Sequence, residues 1–183
     1  MAALFIIEHL EPRMWPWCVI EYKRMRKLVG KNLLITNTKS KLVNFAKTDS
    51  RSVNQLKPKN ACILDPSAQK ELVPEDANSF DAFVFGGILG DDPPQNRTTP
   101  AFQELKGERR NLGKEQMSTD TAVHVTWQIL HGKKLSELQF QDRITISISD
   151  EAEIQLPYRY LVKNNKPVLA PGLHEYLRNR KGF

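Results

Sequence analysis

The stretch FVFGGILGDDPP, Phe83–Pro94, decides how the rest of the chain is read. It starts as a buried strand, runs into a glycine-rich turn, and then fills with Asp91, Asp92 and two prolines. Glycine-rich turns after a strand commonly cradle nucleotides, because a backbone without Cβ atoms approaches a ligand closely. Two familiar versions are excluded by spacing. A phosphate-binding P-loop needs a lysine after its last glycine, and none follows Gly90. The dinucleotide fingerprint GxGxxG does not match Gly86, Gly87 and Gly90. On GGILG alone, a tight turn with no ligand remains a competing reading.

Outward from this stretch, strand and helix alternate. Leu4–Ile7, Leu33–Thr36, Ala61–Leu64 and Ala82–Phe85 are short apolar runs that predict strands. Between them, 17–29 suits an amphipathic helix closed by Gly30, 41–57 suits a second helix, and 67–79 a brief helix or turn. This order predicts an α/β fold, a parallel sheet with helices on its faces. The polar, glycine-dotted stretch 86–117 is too long for an ordinary connection. Ser118 or Thr119 then caps a helix through Leu130, closed by Gly132, with Asp120 favourably placed at its positive end. ITISIS at 144–149 alternates as a strand, LPYRYLV and NKPVLAP form an extended pair joined at Asn164-Asn165, and a last helix covers about 173–180. One domain spanning 1–183 is expected, with a ligand region at about 82–132 and an extension at about 133–183.

Composition is that of an ordinary globular chain, 40% apolar and 26% charged. No apolar run is long enough to span a membrane. The opening MAALFIIEHL has no basic flank and reads as a strand, not a signal peptide. Cys18 and Cys62 sit in apolar surroundings, which predicts reduced thiols and a cytoplasmic protein. No CxxC pair or His/Cys cluster suggests a metal. Residues 1–60 carry twelve Lys/Arg against four Asp/Glu, whereas 61–132 carry six against eleven. The basic first third suits either RNA contact or a solvated lysine-rich helix face. The acidic middle disfavours a phosphate ligand. A cofactor without phosphate and with positive charge fits better, and S-adenosylmethionine, with its sulfonium, adenine, ribose diol and amino-acid tail, has that character.

FGGILGDDPP with Arg97-Thr98, followed by RRNLGKEQMSTDTA, resembles the SPOUT superfamily of methyltransferases. The likeness is greatest to its protein arginine methyltransferase branch, which modifies a small-subunit ribosomal protein of the KH-domain type. It extends to IIEHLEP, WCVIEY, ILDPSA, LPYRYLV and KPVLAPG, nearly the whole chain. The resemblance implies a SPOUT-type parallel sheet with helices on both faces and a C-terminal deep trefoil knot that binds S-adenosylmethionine bent between its loops. It places the knot in 86–117. True knots are rare, so this expectation rests on the resemblance alone. Its cofactor positions fall on Phe85, Gly86, Gly87, Ile88, Leu89, Gly90 and Asp91, then on Asn111, Leu112, Gly113, Gln116, Met117, Ser118 and Thr119. Leu64, Asp65 and Pro66 form a third wall. Gly87 is expected to leave the space the cofactor fills, so that Gly87→Val blocks binding.

An arginine acceptor needs carboxylates, because guanidinium is protonated at neutral pH and its nitrogen must be oriented and deprotonated as the new bond forms. Asp91 is the first candidate, followed by Asp92 and Asp120. Glu8, Glu11 and Glu21 are candidates for an acidic wall that receives the substrate. Arg97 is a candidate for the cofactor carboxylate or for an ion pair within the loop, and His124 for packing rather than base chemistry. Three functions compete: an arginine methyltransferase acting on a ribosomal protein as a monomer, an RNA methyltransferase of the same fold, and a non-catalytic ribosome-associated protein. The first is favoured.

Overall fold

The computed structural model describes residues 3–87, 89, 98–149 and 152–179. Six strands form one parallel sheet: β1 (Leu4–His9), β2 (Leu33–Thr36), β3 (Lys47–Thr48), β4 (Ala61–Leu64), β5 (Ala82–Gly87) and β6 (Glu108–Arg110), ordered β3-β2-β1-β5-β4-β6. The register sets His9 opposite Gly87, at the carboxyl ends of the two central strands. Ligands of open α/β sheets bind at this edge.

Successive side chains point to opposite faces. Phe5, Ile7, Cys62, Leu64, Phe83 and Phe85 join one buried cluster, while Ile6, Ala61, Ile63, Ala82 and Val84 join another. Burial on both faces is why these strands read as continuous apolar runs. The helices are α1 (Pro16–Val29), α2 (Val53–Leu56), α3 (Thr98–Ala101), α4 (Thr119–Leu130) and α5 (Leu173–Asn179). α1 starts with Pro16 in its first turn and buries Cys18, Tyr22, Met25 and Val29, one helical stripe. It packs against α4 over the first face. On the second face the cover is thinner than the sequence suggests. Val53 of α2, then Phe102 and Leu105 just beyond α3, do the packing, with no long helix there among the described residues.

The expected helix over 41–57 does not form. A single 3-10 turn spans Lys41–Val43, β3 forms an edge strand, and only Val53–Leu56 is helical. Side chains that favour turns break the segment: Ser40 accepts the Leu42 N–H, Asp49 accepts the Arg51 N–H, and Ser52 and Gln55 form a capping box on α2. The long stretch 86–117 is also less irregular than its composition implies. It contains α3 and β6, and the charged sequence Glu108-Arg109-Arg110 gives no strand signal of its own. Ser118 is the N-cap of α4, but its hydroxyl lies 2.7 Å from an Asp120 carboxylate oxygen rather than on a free backbone N–H.

The last third builds a separate antiparallel sheet, β7 (Phe140–Ser147), β8 (Glu153–Lys163) and β9 (Lys166–Pro167). Asn164 and Asn165 both take positive φ, 52° and 57°, in the two-residue turn expected from their sequence. This sheet and α5 form their own cluster, including Ile144, Leu156, Tyr160, Leu173 and Leu177, against Trp17 and Ile20 of α1. Among the described residues, no helix is long and apolar enough to cross a membrane.

Candidate functional site

Three strand ends meet the first face of the sheet at its carboxyl edge. Leu64 closes β4, Phe85 lies in β5, and Leu112 follows β6; all three are buried in the same cluster, with Leu89 and Met117 part-buried against it. Thr119 joins two of these segments by donating its hydroxyl to the Gly86 carbonyl at 3.2 Å. Leu89 is tied to the chain after β1, its N–H reaching Glu11 at 2.9 Å. Asn111 anchors the second segment. Its backbone N–H donates to Lys70, its side-chain amide to Ala68 at 2.9 Å, and its side-chain carbonyl accepts from Gly113 at 2.9 Å. Gly113 has φ 92°, a left-handed value that suits glycine. Gln116 is pinned by the Arg159 N–H at 2.8 Å, so β8 completes this wall. Pro66 is exposed beside Asp65.

Asp65 is a brace. It is 1% exposed and accepts from Ser67, from Thr99 at 3.0 Å and from Arg109 at 2.6 Å. Burial alone would raise its pKa, but the bonds from Ser67 and Thr99 and the charge of Arg109 more than offset it and hold the carboxyl below its ordinary value. Ile88, Gly90, Asp91, Asp92 and Arg97 lie outside the described residues.

The acidic wall separates. Glu8 points to the second face, where Thr36 donates its hydroxyl and Val53 its N–H at 2.9 Å. Burial raises its pKa, opposed by those two bonds. Glu21 points the other way, between α1 and the start of α4. It is 4% exposed, accepts the Trp17 indole N–H at 2.8 Å, and has Asp120 nearby. Burial pushes its carboxyl well above the usual range, and the Asp120 charge adds to this; the Trp17 bond and Arg24 pull it back. Asp120 is itself paired with Arg24, whose other nitrogen contacts His124 Nδ1 at 2.9 Å. Facing a guanidinium donor, that histidine nitrogen must be an acceptor. Burial first, then Arg24, brings the His124 pKa to about 4. Glu8 and Glu21 therefore share no pocket, and His124 is neutral support.

His9 shares its Nδ1 with the Tyr22 hydroxyl at 2.9 Å, directly beside Gly87. Trp17, Tyr22 and Tyr160 lie in the resemblance stretches WCVIEY and LPYRYLV, but neither they nor Arg24 receive a site role there. The one sequence signal was helical spacing: Trp17, Glu21 and Arg24, four and three residues apart, share a face of α1.

Apolar walls for a flat ring, glycines at the two turns and a buried carboxyl pair next to them are a donor set suited to an adenine-bearing cation. Residues 4–182 match the model of the SFM1-like protein arginine N-methyltransferases. The chain belongs to that family. The SFM1-like chain is 32% identical over 200 residues to protein arginine N-methyltransferase SFM1 of Saccharomyces cerevisiae, covering 95% of itself and 93% of that relative. It also resembles the crystal structure of yeast SFM1 complexed with SAM, with TM-score 0.87 and 31% identity over 97% of this chain and 91% of that one. The complex of yeast SFM1 with SAH gives TM-score 0.85 at 30% identity, covering 95% and 94%. A Trm10 from Thermococcus kodakaraensis shares the fold alone, at 17% identity and TM-score 0.59 over 74% of this chain and 96% of that one. The SFM1-like architecture is thus mixed α/β and SPOUT-like, built on the six-stranded parallel sheet.

Proposed function

We propose that this SFM1-like chain transfers a methyl group from S-adenosylmethionine to an arginine of a small-subunit ribosomal protein. The observation that carries the arginine reading is the buried carboxyl of Glu21, held at the start of α4 where Thr119 meets Gly86. Family membership supports the reaction class, and the SAM and SAH complexes of yeast SFM1 support the cofactor.

Bound in this site, the cofactor supplies an electrophilic methyl group on a sulfonium centre. In this reading Leu64, Leu89, Leu112 and Met117 hold its apolar ring, with Phe85 behind them. Pro66, Gly86, Gly87, Asn111, Gly113, Gln116, Ser118 and Thr119 shape the backbone around it, and the reading also includes Ile88 and Gly90 from the sequence. Packing of this kind excludes water and aligns acceptor with donor. Glu21 receives the substrate guanidinium. The arriving cation favours the ionised carboxylate, and an oxygen of raised pKa accepts the departing proton better than an ordinary carboxylate. Asp120 is held by Arg24 and steadies this arrangement. Asp91, four residues after β5 in the sequence, is the second carboxylate of the proposal.

We also read the path from β5 to β6 and back to α4 as the trefoil knot. The supporting fact is that β6 lies beyond β4 at the sheet edge, whereas α4 returns to pack on α1. A monomer is supported by the C-terminal sheet, which covers Trp17 and Ile20 of α1. Exposed Lys23 and Lys27 on α1, with Lys31 in the turn that follows it, give a surface for ribosomal RNA, and they also favour RNA methylation as a second reading. Buried, free Cys18 and Cys62 suit the cytoplasm.

Labelled S-adenosylmethionine, the purified chain and an extract lacking the native activity test the proposal. Protease-sensitive label on one protein of ribosomal size supports it. Ribonuclease-sensitive label selects the RNA reading, and absence of label overturns both.

A further inference from the structure

Tyr160 carries a hydroxyl whose place in the fold is unexplained. The residue lies in β8 and is 1% exposed, yet its Oη has no hydrogen-bond partner among the described residues. An unpaired buried hydroxyl is destabilising, and such groups occur where another molecule supplies the partner. Its ring packs with Ile144, Leu156 and Leu173 against Trp17 and Ile20. Burial and then the Glu21 and Asp120 carboxyls hold the phenol above its usual pKa, with Tyr158 adding to this and Arg24 opposing it. The preceding residue, Arg159, donates its N–H to Gln116 of the cofactor wall at 2.8 Å. Tyr160 is therefore on a strand locked to that wall, and its cluster takes in Trp17, whose indole N–H is bonded to Glu21.

We infer that Tyr160 is a further catalytic residue, its Oη accepting an N–H of the acceptor guanidinium that Glu21 receives and so fixing which nitrogen is methylated. The inference rests on the proposed arginine reaction. A guanidinium presents five N–H donors in one plane and no acceptor. A buried pocket for it must offer several acceptors. Glu21 already receives Trp17, and Asp120 already receives Arg24 and Ser118. The Tyr160 oxygen adds an acceptor that no other side chain occupies among the described residues. In the transfer step the nitrogen–methyl bond forms and the sulfur–methyl bond breaks. The proton released by the guanidinium passes to Glu21, and Tyr160 keeps its own. Trp17 and Tyr158, both part-exposed beside the ring, flank the entry of the substrate side chain.

Tyr160→Phe tests this, because it deletes only the hydroxyl. Expected are an unfolding temperature unchanged or raised, unchanged S-adenosylmethionine affinity by calorimetry, and a fall of roughly ten- to a hundredfold in kcat/KM for the protein substrate, the size expected for one hydrogen bond to a charged group. Wild-type activity in the variant would overturn the inference, as would a lower unfolding temperature, which would reveal a structural partner. So would parallel loss of cofactor affinity, which would make Tyr160 a prop for the Gln116 wall. A wild-type chain that labels no protein would overturn the arginine reaction and this inference together. Wild-type labelling with an unaffected variant would overturn this inference alone.

Discussion

Tyr22 leaves no room for a side chain on Gly87: a Cβ built there would lie 2.7 Å from the Tyr22 hydroxyl. It would also lie 2.8 Å from Ile7 Cγ2 and 2.9 Å from the Glu8 carbonyl. Strand β1 and helix α1 fill the space that the sequence assigned to the cofactor. Glycine is required here so that α1 can sit on the sheet and Tyr22 can reach His9.

Gly87→Ala therefore acts on the fold first. Forcing a methyl group into a close-packed site costs about 1–3 kcal/mol, and urea unfolding should register that loss. Any drop in cofactor affinity should follow from it. A variant of wild-type stability that fails to bind S-adenosylmethionine would return the space above Gly87 to the cofactor.

Glu21→Gln should separate stability from activity. The folded-state pKa of Glu21 is raised, so its favourable contribution is complete below the unfolded value, near 4.3, and is lost as pH rises through the folded value. Glutamine keeps an oxygen for Trp17 and does not ionise. The variant should match the wild type in acid and become the more stable of the two as pH rises. Methyl transfer should fall about a hundredfold or more, the scale of a lost general base. Unfolding temperatures and turnover measured from pH 4 to 9 check both parts.

Asp76→Asn should be strongly destabilising. Asp76 holds Arg110 through two bonds, 3.0 and 3.1 Å, with both side chains nearly buried and the guanidinium over the Phe80 ring. Leaving a buried arginine without its main partner costs about 3–5 kcal/mol. Because Arg110 directly precedes Asn111, cofactor affinity should weaken as well. A denaturant midpoint within error of the wild type would show that Glu108, 2.9 Å from Arg110, suffices alone.

The central strands were legible because burial on both faces leaves unbroken apolar runs, and α1 because its stripe and its end signals agree. The Asn164-Asn165 turn was legible because the type of turn selects those residues. What escaped was whatever depends on neighbours far along the chain. β6 is three charged residues that become a strand only because β4 offers an open edge. The segment 41–57 has apolar residues, but Ser40, Asp49 and Ser52 divide it. At the site, motif singled out the glycine loops and Glu21 as candidates. The separation of Glu8 from Glu21 could not be read from motif, because the face a strand-end residue takes depends on the strand's register. Tyr160 lies in LPYRYLV, a stretch that carries the resemblance but assigns the tyrosine no chemistry.

The bond from Arg159 to Gln116 has a consequence in time. A chain made from its N-terminus acquires the sheet, α1 and α4 early, at roughly 5–20 residues per second. The wall formed by Asn111–Ser118 waits for β8, about forty residues later in the sequence, before Gln116 is fastened. A half-made chain thus has a sheet but an unfinished pocket, and ligand cannot reward folding until the final hairpin docks. In the proposed cofactor reading, the C-terminal sheet sets the moment at which the nascent protein first becomes able to bind.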